Sequence, residues 1–490
     1  MCAWVALTPL LVALVRPTGP ARIGSAFGLG WIAGVVSFAG TLYWLVETMT
    51  TFGDLPWPVA ILAAALLVAY LSLFPAAFAV AIFQLQKSMG ARAALLCAAP
   101  VWIASELGRH YVWDGFPWAL LGYSQITVLP IAQLASVTGV YGLSGLLVFA
   151  AAAVAMLMLE RGRSRWTPVM TAALVVAAIG FWGSRRIGGG SLAAAPSDAG
   201  QRVRVAVIQG NILQDDKWNP SLRDAIIGRY VAMTRQAIER GATFILWPES
   251  SFPVYFEEDV LRANVVRRLA MEHRVTLLIG SDQRRVEDGG SPDAFDLYNA
   301  AFLVLPNGAT GGVYRKMHLV PFGEYVPLQR LLYFVKPIVE AVSNFTPGTE
   351  HTMLPVNGHQ VSTAICYEVI YGSLMREFVT GGSELLTTIT NDAWYGRSSA
   401  PYQHWDQAAM RAIENGRYLA RAANTGISGF VDPYGRVLQK SALFEPAVLV
   451  QDLAFVQHRT VYSRTGDLLA WLSLAFTAAA LLASRRVRVQ

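Results

Sequence analysis

Thr243-Phe244-Ile245-Leu246-Trp247-Pro248-Glu249-Ser250 reads as a short apolar strand that a proline stops and a carboxylate follows. An apolar run of this length, bounded by turn residues, fits a strand buried on both faces. Its neighbours agree. Val203-Arg204-Val205-Ala206-Val207-Ile208-Gln209 has the pattern of a strand, residues 221–240 carry helical spacing, 259–273 are predicted helical, and Val275-Thr276-Leu277-Leu278-Ile279-Gly280 is a further strand. Later strands are expected at 300–305, 361–366, 385–390, 426–431 and 436–439, with helices at 369–379 and 403–415. Short apolar strands alternating with amphipathic helices predict an α/β layered domain over 201–465.

The rest of the chain is different. The apolar fraction is 54% and the charged fraction 15%, low for a soluble protein of this size. The apolar residues cluster before about residue 183 and again over 467–484. Crossing a bilayer takes about 20 apolar residues in a helix. Six stretches meet this roughly: 23–46, 58–83, 93–107, 139–159, 167–182 and 467–484; a seventh, 2–15, is shorter. The expected organisation is a membrane domain over 1–184, a flexible linker over 185–200 (Arg185, Arg186, Gly188, Gly189, Gly190, then Ala, Pro and Ser), the polar domain over 201–465, and a last span with a basic tail over 466–490.

The net charge of +6 sits largely in short loops between apolar runs, which points to membrane orientation and not to nucleic acid. Arg16 and Arg22, Lys87 and Arg92, then Arg161, Arg163 and Arg165, and finally Arg485, Arg486 and Arg488 are all placed in the cytoplasm by the positive-inside rule. The loops 47–57 and 108–126 and the whole polar domain then face outward, provided 2–15 spans. The loop 108–126 holds Arg109, His110, Trp113, Asp114, Phe116, Pro117 and Trp118, read as interfacial aromatics or as the shape of a lipid entrance. Glu47 and Glu106, near span ends, are expected to snorkel to water.

Of the three cysteines, Cys2 and Cys97 lie in or beside apolar runs, so Cys366 is alone in the polar domain and no disulfide framework exists there. Cys366 closes a strand and precedes a helix, where the positive potential of a helix N-terminus favours a thiolate. Thiolate attack on an ester gives a thioester that an amine can cleave. Glu249, beside Trp247, Pro248, Phe252 and Pro253, is expected to hold its proton more readily and to act as base. Lys316, after a Gly311-Gly312 turn, can offset charge on an attacked carbonyl. Each has a plainer reading: a buried inert thiol, a helix-capping acid, a solvated lysine. Together they form one acyl-transfer set. Glu324, between Pro321 and Pro327, is a carboxylate that is costly unless paired. Asn391, Asp392 and Trp394 are expected to frame the pocket, or else a turn. His404 and His318 stand isolated in sequence, and no metal or cofactor spacing occurs.

On these residues the polar domain resembles the nitrilase, or carbon–nitrogen hydrolase, superfamily, and the whole chain resembles the bacterial apolipoprotein N-acyltransferase family. The segments that carry the likeness are Gln209-Gly210-Asn211-Ile212, Trp247-Pro248-Glu249-Ser250, His318-Leu319-Val320-Pro321-Phe322-Gly323-Glu324, Ile365-Cys366-Tyr367-Glu368, Asn391-Asp392-Ala393-Trp394, Gly115-Phe116-Pro117-Trp118 and Gly122-Tyr123-Ser124-Gln125. The resemblance implies an extracytoplasmic α-β-β-α sandwich on a polytopic helical membrane domain in the bacterial inner membrane. It implies Glu249 as base, Lys316 as oxyanion stabiliser, Cys366 as the acylated nucleophile and Glu324 as a second essential acid, with Trp218, Asn299, Tyr367 and Glu368 at positions important for the site. The implied reaction is ping-pong: Cys366 takes the sn-1 acyl chain of a phospholipid, and the α-amine of a diacylglyceryl-cysteine apolipoprotein accepts it, with no cofactor and in a monomer. The family implies eight spans with the N-terminus inside, whereas seven stretches are countable here and the chain begins within what resembles the second. Two other readings stay open: a membrane-tethered amidase acting on small substrates, and an inactive nitrilase-like scaffold. Leu331-Leu332-Tyr333-Phe334-Val335 and Phe345 are read as an apolar arm covering the entrance, so that water is excluded until the amine arrives.

Overall fold

Strands made of alternating or continuous Val, Ile and Leu bury two faces here because each sheet has helices on one side and the other sheet on the other. The computed structural model describes residues 2–16, 18–113, 115–189, 201–286, 295–321, 323–325 and 345–486. The chain divides into a helical unit drawn from 1–50, 54–191 and 460–490, and an α/β unit from 51–53 and 192–459.

In the α/β unit the first sheet contains β1 (Arg202–Gln209), β2 (Phe244–Leu246), β3 (Thr276–Val286), β4 (Phe295–Val304) and β5 (Thr310–Arg315). The second contains β6 (Leu354–Val356), β7 (His359–Ile365), β8 (Leu385–Thr390), β9 (Leu419–Ala423), β10 (Gly429–Val431) and β11 (Val437–Lys440), while β12 (Ala447–Ala454) returns to the first. The strand orders are β12-β1-β2-β3-β4-β5 and β11-β10-β9-β8-β7-β6. Strands β1, β2 and β3 run parallel, as do β7, β8 and β9, with antiparallel strands outside them. Ala206 and Ile208 pack with Ile226 and Tyr230 of helix Arg223–Glu239 and with Val266 and Leu269 of helix Val260–His273. The opposite side of β1 meets β9, and β4 meets β7. Helices Gly372–Thr380 and Ala400–Asn415 belong to the second half. This is the α-β-β-α sandwich. The carboxyl ends of the parallel strands lead into Glu249, Cys366, Asn391 and Asn424, where α/β folds gather their sites.

The structure corrects several sequence expectations here. Gly311 and Gly312 lie inside β5, not in a turn. The helix expected at 369–379 begins at Gly372, because Cys366–Ile370 forms a tight 3-10 turn. Strands β6, β9 and β12 were not anticipated. Residues 330–344, with most of the expected arm, lie outside the described residues, as do Phe322 and 190–200.

Among the described residues of the helical unit, five helices are long and apolar enough to cross a membrane: Ile23–Thr41, Trp57–Met89, Ala135–Leu159, Arg163–Gly188 and Leu468–Arg485. Exposed Ile32, Val36, Leu62, Leu66, Leu174, Phe181 and Leu472 on them suit a lipid surface. The stretch expected at 93–107 is two helices, Ala91–Leu96 and Ala98–Tyr111, broken at Cys97. The stretch expected at 58–83 runs longer, as Trp57–Leu71 and Leu73–Met89 joined at Ser72. Ile23–Thr41 packs on that joint through glycine: a Cβ on Gly30 would lie 2.5 Å from the Pro75 carbonyl. Helix Trp166–Gly189 enters the region expected as linker.

Glu106 does not snorkel; it is 4% exposed and accepts from the Leu121 amide at 2.9 Å. Nor is the 108–126 stretch an open loop: Arg109, His110 and Trp118 are buried, with the Trp118 ring packed at a tilt 5.3 Å from that of Trp44 and His110 Nδ1 3.0 Å from the Tyr141 hydroxyl. Residues 460–465, expected in the polar domain, join the helical unit. Gly139 (φ +66°) has its missing Cβ position 2.6 Å from the Tyr462 ring, so only glycine lets that ring dock.

Gly280 on β3 shows how tightly the sandwich seats its loops. A Cβ there would lie 2.3 Å from the Pro248 carbonyl oxygen and 2.7 Å from the Glu249 Cα. Gly280→Ala is therefore expected to lower stability by about 1–3 kcal/mol through overpacking, seen as a lower thermal midpoint. Gly228→Ala, in a helix with nothing within 4 Å of the new Cβ, is expected to be neutral or to gain up to about 1 kcal/mol.

Candidate functional site

Four segments bring the expected residues to one place. Glu249 follows β2, Lys316 follows β5, Asn299 lies on β4, and Glu324 sits in the loop after Lys316. Lys316 is 1% exposed and lies between two carboxylates, its Nζ 2.8 Å from Glu324 Oε1 and 3.3 Å from Glu249 Oε1. The Asn299 amide donates to the same two oxygens at 2.7 and 2.8 Å. Glu249 Oε2 accepts from the Asn391 amide at 2.8 Å, which brings the end of β8 in the second sheet onto the first. Glu324 Oε2 accepts from the Val320 amide at 2.8 Å, so its loop closes on itself.

This environment reverses the expectation for Glu249. Burial pushes its pKa up, but Lys316, Lys217, Asn299 and the Asn391 amide outweigh burial and hold it below the ordinary carboxylate value. Burial likewise works against charge on Lys316, yet Glu324 and Glu249 raise its pKa above the ordinary lysine value, so it stays an ammonium.

Cys366 is buried, with φ at +55°, a left-handed conformation unusual for a residue with a Cβ. The thiolate expected from a helix N-terminus is not favoured. Burial pushes the thiol pKa up and Glu249 adds to it, more than Lys316 lowers it. The turn at Cys366 is too short to supply a strong dipole. At rest the set is therefore a neutral thiol beside a carboxylate and an ammonium.

Glu368 is a fastener. Its Oε2 accepts from the Ile365 amide at 2.7 Å, and its Oε1 accepts from the Met317 amide at 2.6 Å, the His318 amide at 3.1 Å and the Tyr314 hydroxyl at 2.8 Å. One fully buried side chain thus joins the Lys316 segment to the Cys366 turn. Burial lifts its pKa to about 7 despite these donors and Lys316. Tyr367 is buried, its hydroxyl accepting from that of Tyr371 at 3.3 Å. Trp218 and Trp394 are partly exposed, at 46% and 38%.

The sequence reading missed a second buried network. His404 is not isolated: its Nε2 lies 3.0 Å from the Cys366 carbonyl oxygen and carries the proton donated there. Its Nδ1 lies 3.0 Å from Asp392 Oδ1 and 2.9 Å from the Arg421 guanidinium. Arg421 also donates to Asp392 Oδ2 at 2.9 Å. Burial works against the Asp392 charge, but the Arg421 guanidinium, with the Thr390 hydroxyl donating to Oδ1 at 2.8 Å, holds its pKa well below the ordinary range. Burial and then Arg421 lower the His404 pKa, which keeps the ring neutral. Asn424 ties this layer across: its amide donates to the Ile212 carbonyl at 2.8 Å and to Asn391 Oδ1 at 3.0 Å. His318, the other histidine read as isolated, stacks on Tyr371. Among the described residues no group of His, Cys, Asp and Glu is arranged to hold a metal ion.

Comparison with known proteins gives matches over both units. The family model described as carbon-nitrogen hydrolase matches residues 204–461, and that described as apolipoprotein N-acyltransferase N-terminal domain matches 1–153. A relative named apolipoprotein N-acyltransferase from Geobacter metallireducens is 38% identical, over 99% of this chain and 91% of its own. One of the same name from Methylococcus capsulatus is 34% identical, over 94% and 88%. A solved amidase from Nesterenkonia sp. is 22% identical, covering 55% of this chain and 95% of its own with a TM-score of 0.39.

The raised thiol pKa has a direct consequence. At neutral pH Cys366 is expected to react with a small maleimide at least about tenfold more slowly than a cysteine in a short unfolded peptide, whose pKa lies near 8.5. Lys316→Met is expected to slow it further, since the ammonium lowers the thiol pKa. Peptide mass mapping of labelled protein over time measures both; labelling as fast as the free thiol would contradict this account.

Proposed function

The chain belongs to the apolipoprotein N-acyltransferase family, and from that premise we propose that it moves an sn-1 acyl chain from a membrane phospholipid to the N-terminal amine of a diacylglyceryl-cysteine apolipoprotein, through a thioester on Cys366. It is an acyltransferase enzyme; the donor, the thioester and the residue roles are the proposed part. The observation that carries them is the buried Lys316 held between Glu249 and Glu324, next to a lone thiol.

In the first half-reaction Glu249 takes the proton of Cys366 as sulfur attacks the ester carbonyl. No net charge is created in a low-dielectric site, because one anion replaces another beside the same ammonium. Lys316 stabilises the oxyanion. Collapse breaks the ester C–O bond, and Glu249 returns the proton to the departing lysophospholipid oxygen. In the second half-reaction the acceptor amine attacks the thioester, the C–S bond breaks, and Glu249 returns a proton from nitrogen to sulfur. Glu324 and Asn299 position Lys316 and Glu249, and Glu368 fixes the distance between the Lys316 strand and the Cys366 turn. Tyr367, Trp218, Asn391 and Trp394 line or frame the substrate space. The set is complete within one chain, which supports action as a monomer without a cofactor.

The five apolar helices and the basic loops support placement in the bacterial inner membrane, with residues 201–465 on the extracytoplasmic face and 1–184 and 466–490 as the membrane part.

Intact mass spectrometry of the protein reconstituted with phospholipid and no acceptor tests this reading. An adduct of one fatty acyl mass on Cys366, discharged by a lipopeptide with a free α-amine, is the expected result. Cys366→Ala is expected to abolish the adduct, and Glu249→Gln to slow its formation by about a hundredfold to ten-thousandfold. Acyl transfer with no acyl-enzyme would overturn it.

A further inference from the structure

Transfer to an amine leaves one proton over. At neutral pH an α-amino group, with a pKa of about 7.7–8.0, is mostly ammonium. The ammonium and the thioester give amide, free thiol and one surplus proton. Glu249 returns a single proton to sulfur, so it cannot also hold the surplus one.

A second pair of ionisable groups flanks Glu249. Lys217 is 4% exposed, and its Nζ donates to the main-chain oxygen of Glu249 at 3.1 Å. Among the described residues no carboxylate lies within ion-pair distance of it. Asp282 sits on β3 two residues beyond Gly280, directly opposite Asn299 in the β4 register, and accepts from the Ser250 hydroxyl at 3.3 Å. Asp282 and Trp218 also line a cavity of about 680 Å³ that continues past Arg223, Tyr255 and Glu258. Lys217 thus reaches the Glu249 main chain, and Asp282 joins the neighbouring Ser250 to the cavity.

The two lysines of the site differ in their chemistry. Lys316 is kept charged, whereas burial lowers the Lys217 pKa to about 8, against the raising effects of Glu249, Asp282 and Cys366. Burial raises the Asp282 pKa to about 7, opposed by Lys217 and the Ser250 hydroxyl and assisted by Glu249 and Glu324. The other charged groups facing the cavity are Arg223, Glu258, paired with Arg284, and Asp259, paired with Arg262. Lys217 and Asp282 can therefore both gain and lose protons near neutrality.

We propose that Lys217 and Asp282 carry the surplus proton of the amine half-reaction out of the site, Lys217 taking it from the acceptor's ammonium and Asp282 handing it to water in the cavity. This rests on the acyl transfer proposed above. The N–H bond of the ammonium breaks as the lone pair of neutral Lys217 takes the proton, and the freed amine lone pair attacks the thioester. Lys217 then passes the proton through an intervening water to the Asp282 carboxylate, Asp282 loses it to solvent, and both groups return to their starting forms.

The test separates the half-reactions. Full-length protein preloaded with phospholipid is mixed with a synthetic diacylglyceryl lipopeptide, and amide formation and thioester loss are followed by mass spectrometry. Asp282→Asn is expected to slow discharge about tenfold near pH 6.5 and less than about twofold near pH 9, where the amine is already neutral. Asp282→Glu is expected to restore most of the rate, and Lys217→Met to show the same pH profile as Asp282→Asn. A deficit equal at every pH, the signature of a merely structural role, or no deficit at all would overturn the proton outlet. A wild-type protein that never forms the thioester would instead overturn the acyl-transfer reading, and the outlet with it.

Discussion

A lysine ammonium with 1% of its side chain exposed needs compensation, and the arrangement of the α/β unit follows from supplying it to Lys316. Burying an ion costs several kcal/mol unless partners replace its water. Here the partners come from separate elements: Glu249 from the end of β2, Glu324 from the loop beyond Lys316, and Asn299 from β4 to orient both carboxylates. Removing either carboxylate leaves the buried ammonium with one counter-charge instead of two. Each of these segments is therefore fixed by the others, and the Asn391 amide extends the constraint to the second sheet.

The same logic governs Cys366. Its left-handed backbone is a strained state for a residue with a Cβ, costing of order 1–3 kcal/mol, and it needs the surroundings to enforce it. Glu368 holds the amide before it, and His404 holds its carbonyl. His404 is in turn fixed by Asp392 and Arg421, all three fully buried. The proposed nucleophile is thus gripped through its backbone, with its thiol in the electrostatic reach of Glu249 and Lys316 and hydrogen-bonded to Thr390.

Much of this was legible in the chain. Apolar runs ending in Pro248-Glu249 and in Cys366 mark strands whose carboxyl ends meet, and the motif residues around them are local in sequence. What stayed hidden depends on distant partners. Glu249 looks like a carboxylate in apolar company, and only the fold adds Lys217, Asn391 and Lys316 to make it more acidic. His404 is 38 residues from the carbonyl it binds, so no spacing reveals it. Glu106 reads as a span-end acid, whereas a backbone amide 15 residues on captures it. Strands β6, β9 and β12 were overlooked because a short or half-polar strand takes its stability from neighbours, not from its own pattern.

A thiol that resists ionisation is at first sight a poor nucleophile. For the lipid ester proposed as donor the opposite argument holds. A standing thiolate would react with any electrophile that entered, and it would need a counter-charge in an apolar setting whether or not substrate was present. A neutral thiol beside Glu249 becomes nucleophilic only while its proton is moving, when an ester carbonyl sits where Lys316 can take the developing charge. Burial that raises the thiol pKa then contributes to selectivity, because the reaction needs all three groups and the carbonyl together. The Glu249–Lys316–Glu324 cluster holds the charges in place beforehand, so little reorganisation remains for the moment of transfer.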